Sequence, residues 1–169
     1  MDEALVELWN KFVKPEDSVY HLGDLTLNRG NHGISEFIKL IRSLHGHKRL
    51  QLGNHDHYDI QVYIDAGFEK IRGTGRWLDG LILSHYPIHP SGLNGSAVAN
   101  IHGHIHDHES PPPAVTGGFD GDNELKVRPY INVSVDVTNY RPLTLGEVKD
   151  LIRTAKEKII ECKNLEISD

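Results

Sequence analysis

The sequence predicts an α/β fold, and three observations carry that expectation. Segments with one apolar helical face alternate with short apolar runs of strand length. Those runs end in turns that carry polar, metal-capable side chains: "HLGD" at 21–24, "QLGNHD" at 51–56 and "LSHYP" at 83–87. The chain also holds 12 histidines in 169 residues, four of them in "IHGHIHDH" at 101–108, a density that packing does not ask for.

Taken in order, residues 2–13 form an amphipathic helix, with Leu5, Leu8, Trp9 and Phe12 at helical spacing. "KPEDS" breaks it, and a strand over 18–22 ends at Gly23. A second helix spans 34–44, with Ile34, Phe37, Ile38, Ile41 and Leu44 on one face. The next strand, 48–52, ends at Gly53, and "YDIQVYIDAG" makes a short helix closed by Gly67. A strand over 80–87 runs into Pro87. Residues 111–128, with "PPP", "GG" and "DGDN", form a loop and an irregular hairpin. "YINVSVDV" (130–137) alternates as a strand, and a last helix over 145–161 opens on the capping-box pattern Thr144 to Glu147.

The length suits one domain, and no repeat or linker divides it. No apolar run approaches the ~18 residues of a membrane span, and the acidic start is unlike a targeting peptide. The single cysteine, Cys162, excludes an internal disulfide and fits a reducing, cytoplasmic setting. A net charge of −6 disfavours non-specific binding to nucleic acid but admits a small phosphorylated substrate, because a metal supplies the missing positive charge.

In open sheets, ligands bind where the loops after the strand ends gather. Those loops offer Asp24, Asn54, His85, His104 and His106: a carboxylate, an amide oxygen and three imidazoles. Mixed oxygen and nitrogen ligands without thiolate suit Mn, Fe, Co, Ni or Zn rather than a structural cysteine site.

The motifs "GD" (23–24), "GNHD" (53–56), "SHYP" (84–87) and "GHIH" (103–106) stand in the order found in calcineurin-like metallophosphoesterases, and the chain resembles that family from about residue 18 to 143. With its ending "NVSVDVTNYRP" it looks like the small stand-alone bacterial and phage members. The resemblance implies a β-sandwich of two sheets flanked by helices, filling residues 1–169 as one shortened domain. It implies a two-metal site, manganese first among the candidates, in which Asp24 bridges the cations. Asn54, His85 and His104 complete the second site, and His106 belongs to the first. His55 then sits beside the phosphate as transition-state stabiliser or proton donor, while metal-bound hydroxide attacks phosphorus.

The family's D-x-H motif, which gives the first metal an aspartate and a histidine, has no counterpart here: upstream of Asp24 the only histidine is His21. The expectation is therefore a domain whose first strand is missing, a filled second metal site and a weak or empty first one. A missing internal strand bares a sheet edge, so a homo-oligomer is expected as well. The absent motif leaves two alternatives to a phosphodiesterase or phosphomonoesterase. One is a metal-binding form with little catalysis. The other is a nuclease, using the cation clusters Lys48–Arg49, Arg72 with Arg76, and Lys126 with Arg128.

Overall fold

A computed structural model describes residues 2–26, 33–116 and 126–166. Helix α1 (Asp2–Phe12) leads into strand β1 (Ser18–His21), and α2 (Ile34–Ser43) into β2 (His47–Gln51). The short helix α3 (Ile60–Asp65), whose N-terminus is capped by Asp59 accepting from the Gln61 N–H, precedes β3 (Phe68–Arg72). These three strands form a parallel sheet in the order β1-β2-β3.

A second sheet follows. It takes β4 (Arg76–Leu78), β5 (Leu81–Ser84), β6 (Ala99–His102) and, after a hairpin of β7 (Ala114–Thr116) and β8 (Lys126–Arg128), β9 (Tyr130–Asn132). Strands β5, β6 and β9 run parallel and β4 is antiparallel to β5. Helix α4 (Leu145–Glu166) closes the described chain. The protein is thus a mixed α/β structure with two principal sheets and flanking helices, and no described helix is long and apolar enough to cross a membrane.

Two apolar layers hold the sheets in place. Phe37 and Ile41 of α2 and Tyr63 of α3 pack with Leu50 and Phe68 on one face of the first sheet. Leu81, Leu83, Ala99, Ile101 and Ile131 of the second sheet pack against Val148 and Ile152 of α4, and Tyr20 and Leu22 join them from the end of β1. Thus β1 couples the two sheets at the end where its loop departs. Helix α1 is tied to the end of α2 by polar contacts: Trp9 donates to the His45 carbonyl at 3.0 Å and Asn10 to that of Ser43 at 2.9 Å.

The structure departs from the expected elements in two respects. Strands β3, β4 and β6 add to those expected, and the strand expected over 130–137 stops at Asn132. There the Asn132 side chain accepts the Ser134 N–H at 3.0 Å, and the Ser134 carbonyl accepts the N–H groups of Val137 and Thr138, which turns the chain away. Val135 and Val137, the alternating residues that suggested a strand, are consequently exposed.

The capping box at α4 forms as expected. Glu147 accepts from the Thr144 N–H at 2.8 Å, and Thr144 Oγ1 accepts from the Glu147 N–H at 3.2 Å. Arg141 adds an ion pair at 2.7 Å. The Arg141 hydrogen bond, with the Thr144 donors behind it, holds the Glu147 carboxyl down at about 2. A carboxyl depressed from 4.5 stabilises the fold fully above pH 4.5 and loses that contribution as the pH falls through about 2. The melting-temperature gap between wild type and Glu147→Gln should therefore narrow between pH 5 and pH 2 (about the span of the two pKa values), and a gap that stays constant would contradict the pairing.

Candidate metal centre

Four loops meet beyond the strand ends. The β1 loop brings Asp24, the β2 loop brings Asn54, His55 and Asp56, and the β5 loop brings His85; residues after β6 supply His104 and His106. Close approach of the first two loops depends on glycine. A Cβ on Gly23 would lie 2.5 Å from the Gly53 nitrogen and 2.8 Å from His85 Nδ1. One on Gly53 would collide with the Asp24 carboxylate.

Asp56 clamps the same loops together. Its carboxylate accepts the N–H groups of Asp24 and Gly53, each at 2.8 Å, and of Leu25 at 3.0 Å. With both loops fixed, the His55 N–H donates to Asp24 Oδ1 at 2.8 Å and turns Oδ2 toward the imidazoles.

His85 is the centre of the arrangement. It is 3 % exposed, and its Nδ1 lies 2.7 Å from the Leu22 carbonyl, which can only accept. Nδ1 therefore carries a proton, and in the neutral ring Nε2 presents a lone pair. Around that lone pair stand Asn54 Oδ1 at 2.9 Å, His104 Nδ1 at 3.1 Å and Asp24 Oδ2 at 3.3 Å. With both imidazoles neutral and these nitrogens unprotonated, the four atoms can share a cation between them. Two ligands bound at about 2.1 Å to one ion are themselves about 3.0–3.4 Å apart, so the spacing also fits. Asp24, His85 and His104 together can hold a metal ion, their ligand atoms lying within 4.8 Å of one another. The carbonyl behind His85 is the outer partner that fixes a ligating imidazole's tautomer.

Backbone strain gathers at the same place. Asp24 (φ 56°), His104 (φ 69°) and His106 (φ 50°) all adopt the left-handed region, unusual for residues with a side chain. Burial, with His85 beside it, pushes the His104 imidazole below its ordinary pKa, which favours the neutral, ligating form. Burial also lowers His21, which accepts the Gly23 N–H and feels Asp56, His85 and Asp24.

Among the described residues His106 stands outside the triad. Its ring is exposed, and Nδ1 bonds Asp136 Oδ2 at 2.9 Å, leaving Nε2 free. His55 lies within electrostatic reach of His104, and its ring meets that of His57 edge-on at 6.1 Å between centroids. His102 is fully buried and bonds the Gly103 carbonyl, and His89 caps the 3-10 turn Pro90–Gly92.

Two participants escaped the sequence reading. Asp136 orients His106 from 30 residues away, a partnership without a local signal. Tyr86 is half exposed and packs against both His85 and His104, at centroid distances of 4.8 and 4.3 Å; its place next to His85 in sequence was the available clue.

The fold and the site define an α/β protein with a candidate metal centre at its strand ends. The chain belongs to the family of the uncharacterized protein MJ1445 of Methanocaldococcus jannaschii, with 31% identity over 157 residues that cover 92% of this chain and 77% of the relative. A protein of unknown function from Aquifex aeolicus, AQ665, is similar in fold: its crystal structure superposes with a TM-score of 0.62 at 24% identity, covering 89% of this chain and 84% of that one. No family model matches the sequence.

Proposed function

We propose that the protein is a metal-dependent phosphoesterase of the calcineurin-like type, with the two-sheet sandwich of that group and a phosphodiester or phosphomonoester as substrate. One observation carries this reading: Asp24, Asn54 and His104 converge on Nε2 of a buried His85 at 2.9–3.3 Å. The residues that suggested the family in sequence thus gather where a cation would join them.

Asp24, Asn54, His85 and His104 would hold one ion, manganese being our first choice. When bound, such an ion makes a coordinated water acidic and neutralises charge developing on a phosphoryl group. The remaining work falls to the chain's own side chains. The Leu22 carbonyl keeps His85 in its ligating tautomer, and Asp56 keeps the two loops in register. His55, held beside Asp24 through its own N–H, hands a proton to the departing oxygen. His106, steadied by Asp136, serves a weaker first metal position.

The nuclease alternative draws less support. Lys48 is buried against the carbonyls of Leu44 and Gly46, and Arg128 bonds those of Ala97 and Gly95, so both serve the fold. The Lys126 side chain lies outside the described residues.

Hydrolysis of an aryl phosphodiester should appear on adding Mn²⁺, vanish with chelator, and fall at least about 100-fold in His85→Ala. Turnover that His85→Ala leaves intact, or that needs no metal, would overturn the proposal.

A further inference from the structure

A second cluster lies behind the strand ends, in the cleft between the two sheets. Arg49 of β2, Lys70 and Arg72 of β3 and Arg76 of β4 line it together with Tyr20 and Gln51, and none of its lining residues is acidic. The strand register explains the gathering. Arg49 pairs with Tyr20 on one side and Lys70 on the other, and Gln51 pairs with Arg72, so the period of two puts all of them on one face. The guanidinium groups of Arg49 and Arg76 both stand over the Tyr20 ring, at 5.1 and 4.8 Å, and Arg49 also donates to the Tyr20 hydroxyl at 2.5 Å.

Four cations lining one cleft repel one another, which is costly unless something answers them. No described carboxylate forms an ion pair with Arg49, Arg72 or Arg76. Glu69, which feels Arg49 and Lys70, is engaged with His47 instead. At the floor of the cleft three buried polar atoms have no hydrogen-bond partner: Arg49 Nε, Arg76 Nε and Gln51 Oε1. Gln51 is 6 % exposed, and its amide nitrogen is committed to the Arg72 carbonyl, so the free oxygen is fixed in place. Two charged donors and one acceptor thus belong to residues lining one cleft, each a liability if left unmet.

We propose that this cleft is an anion site for a phosphate group bearing a hydroxyl, separate from the metal centre. The space measures about 260 Å³ including its open mouth. A P–OH oxygen placed there accepts from the two Nε–H groups and donates to Gln51 Oε1. The other phosphate oxygens remain at the mouth, where the exposed Lys70 and Arg72 close on them. A carboxylate at neutral pH lacks the proton that Gln51 Oε1 needs, and chloride lacks it too. A lone water would meet the floor atoms but leave four cations unanswered. The site stands apart from the phosphoesterase reading, since nothing in it needs a metal.

The test is a titration of the full chain with inorganic phosphate in excess chelator, read by melting temperature at constant ionic strength, with acetate and chloride as controls. A saturable rise is expected with phosphate alone, with affinity reduced about ten-fold or more in Arg76→Gln. Arg72→Gln, at an exposed position, carries the same comparison if Arg76→Gln does not fold, and should weaken phosphate binding as measured against its own ligand-free melting temperature. No saturable rise, an equal rise with chloride or acetate, or a rise undiminished in the folded variants would overturn the proposal; the first of these outcomes would leave the floor to water. Failure here leaves the metal-dependent turnover untouched, and failure of turnover leaves this site standing.

Discussion

Asp24→Asn should lose most of its affinity for Mn²⁺ while becoming no less stable, and even more stable, in the presence of chelator. Both effects follow if the neutral His85 ring offers Nε2 to a cation, with Asp24 Oδ2 at 3.3 Å beside Asn54 Oδ1 and His104 Nδ1. Without a cation the carboxylate adds negative charge to a crowd of acceptors, and asparagine relieves that. The amide retains an oxygen for the His55 N–H, so the loop contact survives. With a cation, the same change removes the one formal charge in the ligand set. Outer-sphere partners alone are worth about 10–100-fold in metal affinity, so a charged ligand should cost at least about 100-fold. Melting curves with chelator and with Mn²⁺ measure both. The expected result is a large Mn²⁺-induced shift in wild type that shrinks in Asp24→Asn. A variant that melts well below wild type in chelator would mean that Asp24 serves the fold and not a ligand.

Asp56→Ala should be the most destabilising change at the site that touches no ligand atom. One carboxylate accepts three backbone N–H groups from two loops, and its removal leaves all three without that partner. Hydrogen bonds to a charged group contribute about 1.5–3 kcal/mol each, and water reaches some of these donors once the side chain is gone. A loss of about 3–5 kcal/mol in denaturant unfolding is expected. Metal affinity should fall with it, because Asp24 and Asn54 are then no longer held in register. A loss below about 1 kcal/mol would show that the two loops are fixed by other means.

Much of this site was legible in the sequence because its residues lie directly after strands, where position along the chain and position in space coincide. "GD", "GNHD" and "SHYP" each announce a strand end, and Asp24, Asn54 and His85 do meet. His106 was named with them, yet its ring turns to Asp136, a long-range partner no local pattern reveals. The missed strands have physical causes. Strand β3, "FEKIR", has only Phe68 and Ile71 apolar, three residues apart, so it lacks the alternation of a strand, and β4 has only three residues. Strand β6, "ANIH", buries Asn100 and His102 completely; Asn100 donates to Ile82 O and Ser84 Oγ, so its burial is compensated by bonds that sequence cannot show. The opposite error arose at Val135 and Val137, whose alternation mimics a strand although a turn held by Ser134 carries them into solvent.

The same limit hid the cleft. Arg49, Arg72 and Arg76 read as surface charge suited to a nucleic-acid backbone, and only the parallel register brings them to one face beside Tyr20.

On the proposed reading His85 offers its Nε2 to a cation shared with Asp24 and His104. Pulsed electron paramagnetic resonance on the protein titrated with Mn²⁺ tests it most directly, because imidazole nitrogen bound to manganese gives a resolved coupling. One tightly bound Mn²⁺ per chain, with nitrogen couplings that disappear in His85→Ala, is the expected result. Manganese bound without nitrogen coupling, or with couplings unchanged in that variant, would contradict it.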